Sequence, residues 1–201
     1  MRETKTTSEA QDVKYDGQIS WSQASGRDIA KVSLVKGSWS KFCSLFTEPE
    51  RGHLTAAQYA ALDKEQQLNE KDVGYFVGAE FKNDQRAKNN VLCRTMLTLD
   101  FDDAVPPDIL QVLNQIGYSA LIHTTRNSTP SALRCRVIFP FNRSCSVEEY
   151  LGIWNWIRGK FLEQLMDVDP TSKDPAHCMF WPSVHANGVY DVRVIDLPWL
   201  S

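Results

Sequence analysis

Apolar residues recur along this chain at two different spacings, and the spacing changes from segment to segment. Met1 to about Gly17 shows neither, mixing Thr, Ser, Glu, Gln and Lys with almost nothing apolar. Such a stretch cannot offset the entropy of ordering, which predicts a flexible leader over residues 1–20 and one folded domain over residues 21–201. Ile29 to Val35 reads as a short strand. Ser38 then precedes Trp39, Phe42, Cys43 and Phe46, a helical spacing behind a capping residue. Thr55 with Gln58 forms a capping box ahead of Tyr59 and Leu62.

Val73 to Phe81 and Leu92 to Phe101 read as strands. Pro106 and Pro107 open a helix that carries Ile109, Leu110, Leu113 and Ile116 and closes at Gly117. Tyr118 to His123 and Leu133 to Phe139 are strands on either side of a polar turn, Asn127 to Pro130. Ser146 with Glu149 caps the longest helix, whose stripe runs Val147, Tyr150, Leu151, Trp154, Ile157, Phe161 and Leu165. After the polar loop Asp167 to Pro175, Met179 to Pro182 and Val189 to Ile195 read as closing strands. Strands alternating with helices predict an α/β or α+β domain, a central sheet with helices packed on it.

Three segments carry candidate chemistry. In Leu97-Thr98-Leu99-Asp100-Phe101-Asp102-Asp103 the strand period sets Asp100 and Asp102 on one face and Leu97, Leu99 and Phe101 on the other. Two carboxylates so close raise each other's pKa unless a cation lies between them, which suits a hard divalent metal. The alternative is an acidic turn, with Asp102 or Asp103 capping the helix at Pro106. In Leu133 to Phe139 the same period sets Arg134 and Arg136 on one face, a pair suited to phosphate or, alternatively, to neutralising those carboxylates. The run from Asp167 to His177 is either a solvated loop or the source of a third carboxylate, Asp169 or Asp174, with Lys173 or His177 for a triphosphate.

Composition narrows the field. Twenty-two Lys and Arg against 25 Asp and Glu give a net charge of −3, so nucleic-acid binding would rest on a local groove. Five scattered cysteines without CxxC spacing argue against a disulfide framework and a structural zinc site. No apolar run has the length of a membrane span and no secretion signal opens the chain, so the expected location is the cytosol. A Gly-rich phosphate loop, an HExxH helix and a GxSxG elbow are all missing, and the four histidines are too dispersed for a zinc site.

Taken in order, LTLDFDD, HTTRNSTPSALRCRVIFPFNR with SVEEY and a long helix, and DVDPTSKDPAHCMFWPS resemble the archaeo-eukaryotic primase superfamily. More closely, they are similar to the primase-polymerase domains at the N-termini of phage and mobile-element replication proteins. The resemblance spans about Asp72 to Ser183 and lies in the order and spacing of the three parts. It implies an N-terminal αβ unit against an RRM-like unit with a mainly antiparallel sheet flanked by helices, and an active site in the cleft between them. It also implies Mg²⁺ or Mn²⁺ held by Asp100, Asp102 and Asp169, with Asp174 as the rival third ligand. Arg134 and Arg136 would hold the triphosphate, with Arg126, Lys173 and His177 as helpers. The second motif departs from the family pattern: no histidine stands there, and Ser128 and Arg136 occupy the corresponding turn and strand.

The function this implies is template-directed nucleotidyl transfer by a two-metal mechanism. The partners would be single-stranded DNA, nucleoside triphosphates and a helicase domain or protein, in a phage- or plasmid-encoded protein. The departure at the second motif keeps a catalytically degenerate nucleic-acid or replisome-binding module open as an alternative. A metal-dependent phosphohydrolase or nuclease using the same acids is a third.

Overall fold

A computed structural model describes residues 13–102 and 108–201 of the chain. The chain enters the fold before the end of the expected leader: β1 (Gln18–Ala24) buries Ile19, Ser20, Trp21 and Ser22. The next strand, β2 (Ser33–Ser38), starts and ends later than the Ile29 to Val35 expected. Ser38 then caps α1 (Trp39–Ser44) by accepting from the Lys41 amide, and α1 buries Trp39, Phe42 and Cys43. β3 (Glu50–Arg51) leads to α2 (Ala56–Ala60), which has the Thr55–Gln58 capping box. α3 (Lys64–Glu70) follows behind a second box, Asp63 with Gln66, and buries none of its residues.

The expected strand Val73 to Phe81 is two strands, β4 (Tyr75–Val77) and β5 (Ala79–Phe81), in different sheets. Gly78 stands at the break, where a Cβ would collide with the Met96 side chain. β6 (Val91–Phe101) precedes α4 (Ile109–Ile116), which Gly117 closes in the left-handed conformation at φ 84°. The expected opening of α4 by Pro106 and Pro107, and any cap from Asp103, lies outside the described residues.

β7 (Ala120–Thr124) and β8 (Cys135–Cys145) come next, β8 running well past the expected Phe139. α5 (Val147–Leu162) starts at the Ser146–Glu149 box and buries Tyr150, Trp154, Ile157 and Phe161. Leu165 does not continue that stripe: it lies beyond the helix at φ 60° and is 95% exposed. A 3₁₀ turn (Pro170–Lys173) and the short strands β9 (Met179–Phe180), β10 (Ser183–Val184) and β11 (Val192–Ile195) complete the chain.

The strands form a five-stranded antiparallel sheet, ordered β11-β7-β8-β6-β5, and a four-stranded antiparallel sheet, ordered β2-β1-β4-β9. β3 and β10 make a small parallel pair. Alternation along β6 sends Leu97, Leu99 and Phe101 into a core with α4 and α5, where Phe101 meets Phe161 edge to face at 5.0 Å. The opposite face places Met96, Leu121 and Ile138 against the aromatic cluster of Trp21, Phe42, Phe46 and Phe76 from the other sheet and α1. Asp100 shares that second face with Met96, near the end of β6 where the two sheets meet. Among the described residues no helix is long and apolar enough to cross a membrane.

Candidate active site

Asp100 stands opposite Arg136 in the β6–β8 register, and His123 of β7 stands opposite Arg136 on its other side. Arg136 donates from both Nε and Nη2 to Asp100 Oδ2, each at 3.0 Å, and from Nη1 to the Phe180 carbonyl at 2.9 Å. One guanidinium therefore ties the five-stranded sheet to β9 of the other sheet. The side chains of Arg136 and Asp100 are only 15% and 9% exposed. Asp100 Oδ1 is buried and has no hydrogen-bond partner.

His123 is fully buried against the rings of Phe46 and Tyr190. Burial, and then the neighbouring Arg136 charge, lower its pKa to about 3. Its Nδ1 lies 3.0 Å from the Thr124 carbonyl, so in the neutral ring Nδ1–H donates and Nε2 is a bare acceptor without a partner.

Asp102 lies one residue past the end of β6, on the exposed side of the site. Its pKa is raised by partial burial, then by the charges of Asp100 and Asp169, while Arg136 and Arg134 act the other way. Asp169 is brought there by backbone pairing, its amide donating to the Asp100 carbonyl at 2.8 Å. The Asp169 carboxylate accepts from the Thr171 amide at 2.9 Å and from Thr171 Oγ1 at 2.7 Å, capping the 3₁₀ turn. Asp174 accepts from the Ala176 amide at 2.9 Å, and its charge acts on His177, whereas that of Asp169 acts on both His177 and Asp102. Between the two rival acids, Asp169 is the one facing Asp102.

His177 sits beside this group, half-buried, with its pKa lowered by burial and partly restored by Asp100, Asp169 and Asp174. Arg134 adds its charge near Asp102, and its amide donates to Ser128 Oγ at 3.1 Å, so Ser128 shapes the entry to β8. Lys173 is directed elsewhere, with Nζ 5.5 Å from the Trp154 ring centre on α5. Arg126 is buried over the Tyr59 ring and reaches Glu70 at 3.4 Å, joining the loop after β7 to the end of α3. Trp39 is completely buried, and Tyr190 donates its hydroxyl to the Phe46 carbonyl.

Two site residues left no recognisable signal. Lys71, at the end of α3, feels Arg136, Asp102 and Asp100, yet it sits in a polar run where nothing distinguishes it. Arg94, on β6, is fully buried and stacks over the Tyr150 ring at 4.3 Å. Its Nη1 donates to the Pro175 carbonyl at 2.8 Å and its Nη2 to the Met96 carbonyl at 3.0 Å. Tyr150 and Trp154 add hydrogen bonds to Ser172 at 2.8 and 3.0 Å, so the loop carrying Asp169 and Asp174 is clasped from beneath.

Asp100, Asp102, Asp169, Arg134, Arg136 and His177 thus share one region, with Asp174 at its margin beside His177. Among the described residues, no three His, Cys, Asp or Glu side chains form a ready metal-binding group. Asp102 is exposed, Asp100 Oδ1 is buried without a partner, Arg136 holds Asp100 Oδ2, and each Asp169 oxygen accepts one bond from Thr171, which leaves it a further lone pair.

Comparison with curated proteins and with solved structures gives no match. The VapE N-terminal domain matches residues 3–201, in agreement with the resemblance to N-terminal domains of phage and mobile-element replication proteins. With nearly its whole length matched, this chain belongs to the VapE N-terminal domain family.

Proposed function

We propose that this domain carries out template-directed nucleotidyl transfer, as the primase-polymerase part of a replication protein. The observation that carries the reading is Asp100 Oδ1, a buried acceptor without a partner beside Asp102, whose carboxyl is raised in pKa by partial burial and then by the charges of Asp100 and Asp169. A buried, unsatisfied carboxylate oxygen next to further negative charge is costly alone and becomes favourable with a hard cation. The donor set fits Mg²⁺ or Mn²⁺ held by Asp100 and Asp102, with Asp169 as the third carboxylate.

The chemistry supplied by such an ion is activation of a primer 3′-hydroxyl and neutralisation of the pyrophosphate leaving group. The chain's own residues do the rest. Arg136 is fixed by Asp100 and the Phe180 carbonyl, so its guanidinium is oriented before any nucleotide arrives. Arg134 supplies a second positive charge beside Asp102. His177, kept mostly neutral by burial, is available as a hydrogen-bonding group for the nucleotide at pH 7. Single-stranded DNA is the template in this reading, nucleoside triphosphates are the substrates, and a helicase domain or protein is the working partner.

A second reading, a binding module without turnover, draws on the Asp100–Arg136 pair, which already neutralises one acid. Incubation with single-stranded template, labelled nucleotides and Mn²⁺ separates the two, with Asp100→Ala/Asp102→Ala as control. Template-dependent products from the wild type alone support polymerisation. Template binding without products supports the module, and degradation of the strand supports a nuclease.

A further inference from the structure

We propose that Lys71 and Arg27 complete a polyphosphate-binding site with Arg136 and take the β- and γ-phosphates of a nucleoside triphosphate. The inference rests on the nucleotidyl-transfer reading and adds to it residues from the N-terminal half of the chain. Lys71 Nζ lies 5.5 Å from the centre of the Phe180 ring, and the carbonyl of that same Phe180 is held by Arg136. The two cations therefore flank one residue of β9. Among the described residues, the Lys71 ammonium makes no ion pair.

The neighbouring acid, Asp72, is already committed. Its carboxylate accepts from the Arg27 amide at 2.9 and 3.1 Å and from the Gly74 amide at 3.3 Å. This clamp fixes the turn after β1 to the end of α3 and brings Arg27 next to Lys71. Arg86 reinforces it by donating to the Arg27 carbonyl at 3.2 Å. Arg27 Nη1 is buried without a partner, and the one carboxylate contact of its side chain is a 3.4 Å approach to Asp28.

Burial lowers the Lys71 pKa, and the charges of Arg136 and Arg27 lower it further, against Asp102 and Asp100. Arg136 is already paired with Asp100, so the cationic groups without a strong acidic partner are Lys71 and Arg27, and a further anion would stabilise them. Asp100 and Asp102 stand beside them, so a phosphate arriving alone would meet carboxylates as well as cations. A triphosphate with its divalent ion matches both sides: metal toward the acids, terminal phosphates toward Lys71 and Arg27. The compact ammonium and the planar guanidiniums provide a point contact and forked contacts on one polyanion.

Calorimetric titration of the full chain with inorganic tripolyphosphate and with a nucleoside triphosphate, both in Mg²⁺, tests this. Lys71→Ala and Arg27→Ala should each weaken both ligands about tenfold. Lys71→Arg should recover most of the loss, and Lys88→Ala, an equal change of net charge at an exposed site, should leave binding unchanged. Tight binding that is equal in wild type and Lys71→Ala overturns the assignment of these residues and leaves nucleotidyl transfer standing. A wild type that binds neither ligand overturns both. Since Lys71 lies half-exposed at a helix end, an unchanged thermal midpoint for Lys71→Ala separates lost binding from lost folding.

Discussion

Arg136 places two guanidinium nitrogens on a single oxygen of Asp100, each at 3.0 Å, and leaves the other oxygen buried and free. The pair serves two purposes at once. It satisfies the charge of an acid that burial would otherwise disfavour, and it leaves the lone pairs of the second oxygen uncommitted.

Removing only one partner should be costly. Arg136→Ala strands the Asp100 charge at low exposure and is expected to lower unfolding free energy by about 3 kcal/mol in urea titrations. Asp100→Asn/Arg136→Met, which removes both charges, should recover at least half of that. Equal losses in the single and double variants would show that the pair is not coupled.

His123 should give the fold an acid-sensitive component. Its folded pKa, about 3, lies below the ordinary histidine value of 6.5, so the unfolded chain binds the proton more readily. Its effect on stability is therefore absent above about pH 7.5 and grows as pH falls from 6.5 toward 3. Linkage gives about 2 kcal/mol lost at pH 5 relative to neutral pH. His123→Phe should flatten the profile over that range, and a profile unchanged by the substitution would assign the acid sensitivity elsewhere.

The two rival acids of the loop should separate cleanly. Asp169→Asn keeps a capping acceptor for Thr171, so its thermal midpoint should stay within a few degrees of wild type while primer synthesis falls at least a hundredfold. Asp174→Asn should retain most synthesis. The reverse pattern would transfer the role of third carboxylate to Asp174.

Arg94 should control the order of that loop without touching a nucleotide. Arg94→Met removes the bonds to the Pro175 and Met96 carbonyls, and leaving buried acceptors unpaired costs about 1–3 kcal/mol each. Hydrogen exchange should then speed up at the Asp169 and Ser172 amides more than at Leu99 in mid-strand. Uniform acceleration across the domain would mean that Arg94 supports the fold as a whole.

What the chain reveals in advance follows a physical division. Local grammar is readable: the Thr55–Gln58 and Ser146–Glu149 boxes, Gly117 at its helix end, and the alternation of Asp100 with Leu97, Leu99 and Phe101 all appear where expected. The box at Asp63 and Gln66 uses the same grammar, yet α3 buries no residue, so no apolar stripe marks it. The need for glycine at position 78 comes from Met96, a residue 18 positions on that meets it only in the assembled fold. The Asp100–Arg136 pairing likewise depends on the register of strands 36 residues apart, and Lys71 reaches the site only through the packing of α3. The paired arginines are readable as a phosphate site or as a neutralising pair, and the structure pairs Arg136 with Asp100.

Binding of Mn²⁺ to wild type and to Asp102→Asn, followed by electron paramagnetic resonance of the free ion, tests the central claim most directly. The account predicts saturable binding in the wild type and at least a tenfold loss in Asp102→Asn, with the fold unchanged because Asp102 lies on the exposed side of the site. Wild-type protein that leaves all Mn²⁺ free, or a variant that binds it equally well, would contradict it.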